Sequence, residues 1–210
     1  TVSSIETRDY VAGNRSDILS TGRLSRSTVD TMRTLGVDAS SCELDDARCR
    51  DAIVGSALLP EEQSQSALAE LWLQRALRLT RAGTDQAHPA AIRNAYLETA
   101  RHAYAYLFFT ARTPPARAFE ERQMQVLDYY NIAVKKAIEL IFPHYQGRPP
   151  VSPALLTQGR WRIHLSIEDG RSPGQRRLPK ELVAASSLRF TGLRNIYRRD
   201  GFGAEMVAVL

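Results

Sequence analysis

The sequence predicts a mainly α protein, an antiparallel helical array followed by a short β-containing segment that reads as the start of an incomplete α/β domain. Two observations carry this. Apolar residues recur at three- and four-residue steps through long stretches between Pro60 and Phe142, each closed by glycine or proline, and beyond Phe142 the period changes to two. The organisation expected is an N-terminal arm over 1–23, a helical domain over 24–145, and a linker with a β-containing segment over 146–210. At 210 residues the chain is long enough to bury a core without staples.

The first twenty residues are polar and aperiodic, with Tyr10, Val11, Ile18 and Leu19 as the plausible anchors. Ser25 then suits a helix cap, Leu24 and Val29 stand where a hydrophobic staple closes, and Gly36 is a natural stop. A second short helix is expected from Asp46 to Val54, ending at Gly55. Pro60 opens a long helix, with Glu61 and Glu62 at its positive end and Leu68, Leu71, Trp72, Ala76 and Leu79 on one face up to Arg81.

Pro89 opens the next helix, striped by Ile92, Ala95, Tyr96, Thr99, Ala103, Tyr106 and Leu107, with Ala100, Tyr104 and Phe108 widening the stripe. Thr113-Pro114-Pro115 ends it. A third long helix is expected from about Ala116 to Phe142 through Phe119, Met124, Leu127, Tyr130, Ile132, Val134, Ile138 and Ile141. Short connections favour antiparallel neighbours, and no 34-residue repeat is present. Trp161 to Ile167 alternates as a strand with one buried face, Leu188 to Thr191 suits another, and Ala204 to Leu210 is an apolar run expected to be a strand in need of a partner.

Cys42 and Cys49 are the sole cysteines, and six residues separate them. Two thiols make a poor zinc site, because four ligands are wanted and the nearest histidine is His88. A disulfide clipping a helix start to its preceding loop is expected instead, which implies an oxidising compartment. No segment approaches the roughly 20 apolar residues of a membrane span. The missing initiator Met and polar start suggest a trimmed or processed chain.

The net charge of +5 is carried almost wholly by arginine. From Arg160 to Arg199 there are ten basic residues against Glu168, Asp169 and Glu181, so this stretch is strongly basic and the remainder about neutral. Only Trp161, Phe190 and Tyr197 accompany that charge, which argues against a nucleic-acid interface and for solvated arginines or a docking face.

Gly170-Arg171-Ser172-Pro173-Gly174 fits the Gly-x-Ser-x-Gly pattern of a hydrolase elbow but fails its mechanics. The residue after the serine must donate a backbone N–H to the oxyanion, and Pro173 has none. Glu98 and His102 are four apart on a helix and can meet, yet no nucleophile accompanies them, so a structural hydrogen bond is expected. His88, His144 and His164 gain no partner. The aromatics Tyr104, Tyr106, Phe108, Phe109, Tyr129 and Tyr130 are expected to be core rather than a ligand groove. No catalytic, cofactor-binding or metal-binding residue is assigned.

Three stretches carry a resemblance: Asp17 to Ser25; Ala100 to Thr110 with Arg117-Ala-Phe-Glu120 and Asp128-Tyr-Tyr-Asn131; and Asn195 to Gly203. They resemble the N-terminal helical region of bacterial exported, lipoprotein-like α/β-hydrolase proteins of the lipase and esterase kind. The resemblance implies a cap or scaffold beside an ester- or lipid-hydrolysing domain, with serine, acid and histidine outside this chain and no cofactor. It also implies a periplasmic or outer-membrane-associated protein, whose partners are a downstream hydrolase-like domain or another protein, with peripheral membrane association possible. The alternative is a non-catalytic periplasmic protein-binding or assembly module.

Overall fold

The computed structural model describes residues 17–81, 89–141, 154–165, 181–184, 203 and 206–209. They form a mainly helical fold. In order these are α1 (Arg26–Thr34), a 3-10 turn (Ala39–Glu43), α2 (Asp46–Val54), α3 (Glu61–Arg81), α4 (Pro89–Phe108), a second 3-10 turn (Pro114–Arg117) and α5 (Glu121–Ile141), then strands β1 (Ala154–Gln158), β2 (Trp161–Leu165), β3 (Glu181–Ala184) and β4 (Met206–Val209). The chain divides into two compact units, 1–133 and 134–210, with the division inside α5. No described helix is long and apolar enough to cross a membrane.

Local chemistry sets the helix ends of the first unit. The Ser25 hydroxyl caps α1 by accepting from Thr28 N, and Gly36, at φ +67°, closes it while Val37 N reaches back to Met32 O. Asp45 caps α2 by accepting from Arg48 N, and Gly55 ends it. Between α1 and α2 the Asp38 carboxylate starts the 3-10 turn by accepting from Ser40 N. Ahead of α1, Asp17 closes a turn on itself, its Oδ1 accepting from Leu19 N and Ser20 N, and the residue is almost fully buried.

Cys42 and Cys49 form a disulfide with Cα atoms 5.7 Å apart. It joins the first 3-10 turn to α2, and both cysteines are wholly buried in a cluster with Met32, Ile53, Ala67, Leu68 and Leu71. The bridge is therefore part of the core that seats α1 and α2 on α3.

α3 and α4 are the principal packed pair. Gln65, near the start of α3, meets His102, near the end of α4, so the two run antiparallel. The stripe expected on α4 is its buried face: Ile92, Ala95, Tyr96, Thr99, Ala103, Tyr106 and Leu107 are all buried.

Three expectations need correction. The third long helix starts at Glu121, not Ala116, because Pro114–Arg117 is a 3-10 turn, and Phe119 is fully exposed rather than part of a stripe. The turn directs Arg117 inward, where its Nη2 donates to Tyr106 O (2.9 Å), which also accepts from Thr110 Oγ1 (2.8 Å), and to Leu107 O (3.3 Å) at the end of α4.

The buried face of α5 differs too. Within the first unit it is Val126, Tyr129 and Ala133, whereas Met124, Leu127, Tyr130 and Ile132 are half-buried. Arg122 shares a face with Val126 and Tyr129 at helical spacing, and the tie of its guanidinium to buried Glu70 holds that face inward.

The last correction concerns the strands of the second unit. Met206–Val209 has a partner inside the chain, Glu181–Ala184, in an antiparallel ladder pairing Glu181 with Val209 and Ala184 with Met206. Trp161–Leu165 is a strand as expected, paired antiparallel with Ala154–Gln158, a segment that alternation had not marked, through a Gly159-Arg160 connection with Gly159 at φ +55°. Leu188–Thr191, most of the N-terminal arm and the Asn195–Phe202 part of the resemblance lie outside the described residues.

Candidate functional site

Glu70 is the residue from which the site is built. It stands in the buried stripe of α3 among Ala67, Leu68, Leu71 and Leu73 and is fully buried. A carboxylate there needs partners, and it has several. Ser25 N donates to its Oε1 (2.7 Å), and its Oε2 accepts from Ser25 Oγ (2.6 Å), Thr28 Oγ1 and Arg122 Nη1 (2.9 Å). Arg122 also donates to Ser25 Oγ (2.9 Å), Thr28 Oγ1 (2.8 Å) and Gln125 Oε1 (3.2 Å). One node thus ties the starts of α1 and α5 to the middle of α3.

A serine hydroxyl on a carboxylate beside a guanidinium has the composition of a nucleophile, base and electrostatic stabiliser. Its electrostatics oppose that chemistry. Burial alone would raise the Glu70 pKa, but Arg122 and the hydrogen bonds from Ser25 and Thr28 outweigh it and hold the carboxyl below its ordinary value. A base needs affinity for the proton, and this carboxylate has less than a free one. Ser25 Oγ is in turn occupied by accepting from Thr28 N and Arg122. The arrangement is a helix cap welded to an ion pair, and its chemical result is a fixed guanidinium.

Arg122 lines a groove of about 720 Å³. The first turn of α1 supplies Ser25, Arg26 and Ser27, α3 supplies Gln63, and α5 supplies Glu121, Arg122 and Gln125. Further along α1, Asp30, Thr31 and Thr34 complete the wall. Arg122 keeps 13% of its side chain exposed.

Two other buried polar nodes surround the pair α3 and α4. Arg117, with no exposed side-chain area, stacks 4.2 Å over the Tyr106 ring and stands 3.4 Å from Glu62 Oε1. Glu62 is held below its ordinary pKa chiefly by hydrogen bonds from Arg112, which also bridges to Glu120. At the α2–α3 contact, buried Asp46 pairs with Arg50, Arg75 and Arg78. Arg50 lies 3.9 Å over the Trp72 ring, and burial followed by repulsion from Arg75 pulls its pKa down to about 10.

The Glu98–His102 pair of the sequence is a loose one, at 3.9 Å. His102 Nε2 accepts from Arg101 Nη2 (2.7 Å), so its Nδ1–H donates to Gln65 Oε1 (2.7 Å), and Glu98 accepts from Arg101 Nε (2.9 Å). A neutral imidazole in that role joins α3 to α4. Among the described residues no cluster that could hold a metal ion occurs. Ser172, His88 and His144 lie outside the described residues; His164 stands opposite Leu155 in the ladder.

The six aromatics expected in the core divide. Tyr106 and Tyr129 are buried, while Tyr104, Phe108 and Phe109 are 43%, 40% and 69% exposed. Tyr104 stacks obliquely on Phe108, with centroids 4.6 Å apart, and lies 5.9 Å from both Phe109 and Tyr130. Phe108 and Phe109 fall where α4 ends, so the covering helix face has run out.

The residues that build this node were only half visible in the sequence. Ser25 is legible as a cap, whereas Glu70 and Arg122 lie 52 positions apart and had one signal between them, a carboxylate inside an apolar stripe. No family model, curated protein or solved structure matches the chain.

Proposed function

We propose that this chain is a helical scaffold module of an exported protein and works by binding rather than by a reaction on its own residues. The observation supporting this is the buried Cys42–Cys49 disulfide, set in a helical unit whose acidic and basic groups Glu70, Arg122, Glu98 and His102 are committed to one another and to helix ends. A buried disulfide belongs to an oxidising compartment, and committed pairs hold a shape instead of moving protons. Alkylation of the natural protein under denaturing, non-reducing conditions tests the compartment. Two alkylated thiols in material recovered from its own cells would sink the exported reading.

In the hydrolase-like form of this reading, the module serves an ester- or lipid-hydrolysing domain whose serine, acid and histidine lie outside the chain. It draws its support from the motif stretches, of which Asp17–Ser25 becomes the self-closed turn and cap that lead into the Glu70 node. Labelling of the full-length protein by a serine-directed phosphonate, together with turnover of short- and long-chain esters, is the expected result. Absence of both label and turnover leaves the binding module alone.

A further inference from the structure

We propose that α1 is a strap that lifts off α3 when Glu70 takes up a proton, hinging at Gly36 while the disulfide keeps α2 seated. Two fastenings of different chemistry hold this helix. At its start the Ser25 amide, the Ser25 hydroxyl and the Thr28 hydroxyl all donate to the Glu70 carboxylate, and Arg122 donates to both hydroxyl oxygens. Near its end Met32 enters the cluster that contains Cys42, Cys49, Leu68 and Leu71.

The second fastening is thin. The buried residues of α1 are Thr28, Thr31 and Met32, so the helix buries one large apolar side chain of its own, where α3 buries Leu68, Leu71 and Leu73. Thr31 turns its hydroxyl back onto Ser27 O, and Leu24 and Leu35, just outside the helix, are only partly buried against the cluster. Elements with few buried apolar contacts open short of global unfolding. A helix of 9 residues is also too short to persist once detached.

Protonation undoes the first fastening. A proton on Oε1 would face the Ser25 N–H, and one on Oε2 would face two hydroxyls and a guanidinium. The hydroxyl oxygens that could receive it already accept from Arg122, whose charge then loses its counterion. Lifting α1 lets the acid and Arg122 both reach water. In the closed form Arg122 and the hydrogen bonds hold Glu70 below its ordinary value, so closure is favoured above about pH 4.5 and lost as pH falls through the folded value.

The other ionisable groups around the node come from each neighbouring element. Tyr129 of α5 and Tyr106 of α4 are both raised above 10 by burial and stay protonated throughout. Asp17 closes its own turn, Glu121 accepts from Gln125, and Asp30 faces outward with Arg26 and Arg33. The hinge is set by the backbone: Gly36 stands at φ +67° with nothing within 4 Å of where a Cβ would be. Beyond it the Asp38 cap and the Cys42–Cys49 bridge fix the 3-10 turn to α2, so the strap ends where the disulfide begins.

Amide hydrogen exchange of the full chain at pH 6 and pH 3, corrected for intrinsic rates, tests the strap. Protection of Val29 to Leu35 is expected to fall at least about tenfold more than that of Leu68 to Ala76 in α3 and Ile92 to Ala103 in α4. In Glu70→Gln the α1 amides should exchange freely already at pH 6 with no further selective fall, whereas Asp17→Asn and Glu121→Gln keep the parent's response. Protection lost together in α1, α3 and α4 overturns the inference, as does an α1 that keeps its protection at pH 3. A selective fall that persists in Glu70→Gln, or that disappears in Asp17→Asn or Glu121→Gln, assigns the response to another group and overturns it too. Should Glu70→Gln not fold, the parent's pH series and the two other variants decide. The thiol count that tests the exported reading is unaffected by either result.

Discussion

Arg122 Nη1 lies 2.9 Å from Glu70 Oε2, and this pair couples the rotation of α5 to the capping of α1, because both partners also hold Ser25 and Thr28. Removing one member strands a buried charge. Glu70→Gln and Arg122→Ala are each expected to lose about 3–5 kcal/mol of unfolding free energy. The double variant should lose less than the sum of the two, measured by urea unfolding in a double-mutant cycle. Additive losses would show that the pair is not coupled.

The same carboxylate predicts acid sensitivity. Its folded pKa lies below the ordinary 4.5, so the unfolded chain binds the proton more tightly. Stability from Glu70 is therefore fully present above about pH 4.5 and falls as pH drops through the folded value. Glu62, also held low, adds to the same limb. Denaturant unfolding between pH 3 and 6 should show a steeper acid limb in the parent than in Glu70→Gln, and equal slopes would refute the assignment.

Tyr129 gives the opposite limb. Burial, reinforced by the Glu70 carboxylate, raises its phenol well above 10. The folded state holds this proton where the unfolded state releases it, so stability falls as pH rises above 10. Tyr129→Phe should flatten that fall while changing stability at pH 7 by no more than about 1 kcal/mol, the scale of one neutral hydrogen bond.

Arg117 closes the end of α4 with its guanidinium over Tyr106 and on the carbonyls of Tyr106 and Leu107. Arg117→Lys keeps the charge but loses the planar fork, and a loss of about 2–3 kcal/mol is expected by thermal or chemical unfolding. Hydrogen exchange should accelerate first at the last turn of α4. A uniform change across the unit would mean that the cap is not local.

Cutting the disulfide with Cys42→Ser and Cys49→Ser is expected to lower stability by about 2–3 kcal/mol, the chain-entropy value for so small a loop. Both positions are wholly buried, so hydroxyls placed there add a desolvation cost and Cys→Ala is the milder pair. Unfolding midpoints of the two double variants against the parent check both statements.

What the sequence alone determined is short in range. Ser25, Gly36, Asp45 and Gly55 act on backbone groups within four residues, so their roles are legible without a fold, as is the disulfide across six residues. The stripe of α4 is legible from the three- and four-residue recurrence of Ile92, Ala95, Tyr96, Thr99, Ala103, Tyr106 and Leu107, although Arg93, Glu98 and His102 are buried on the same helix. The tertiary structure decided what depends on partners far away in sequence. Glu70 chose Arg122 and thereby the buried face of α5; the carbonyls of Tyr106 and Leu107 hold Arg117 inward in a 3-10 turn, so the helix expected from Ala116 starts at Glu121; and Glu181–Ala184 supplied the partner for Met206–Val209. In each case a polar group or strand edge had to be satisfied, and which residue satisfied it was fixed by packing rather than by its neighbours in sequence.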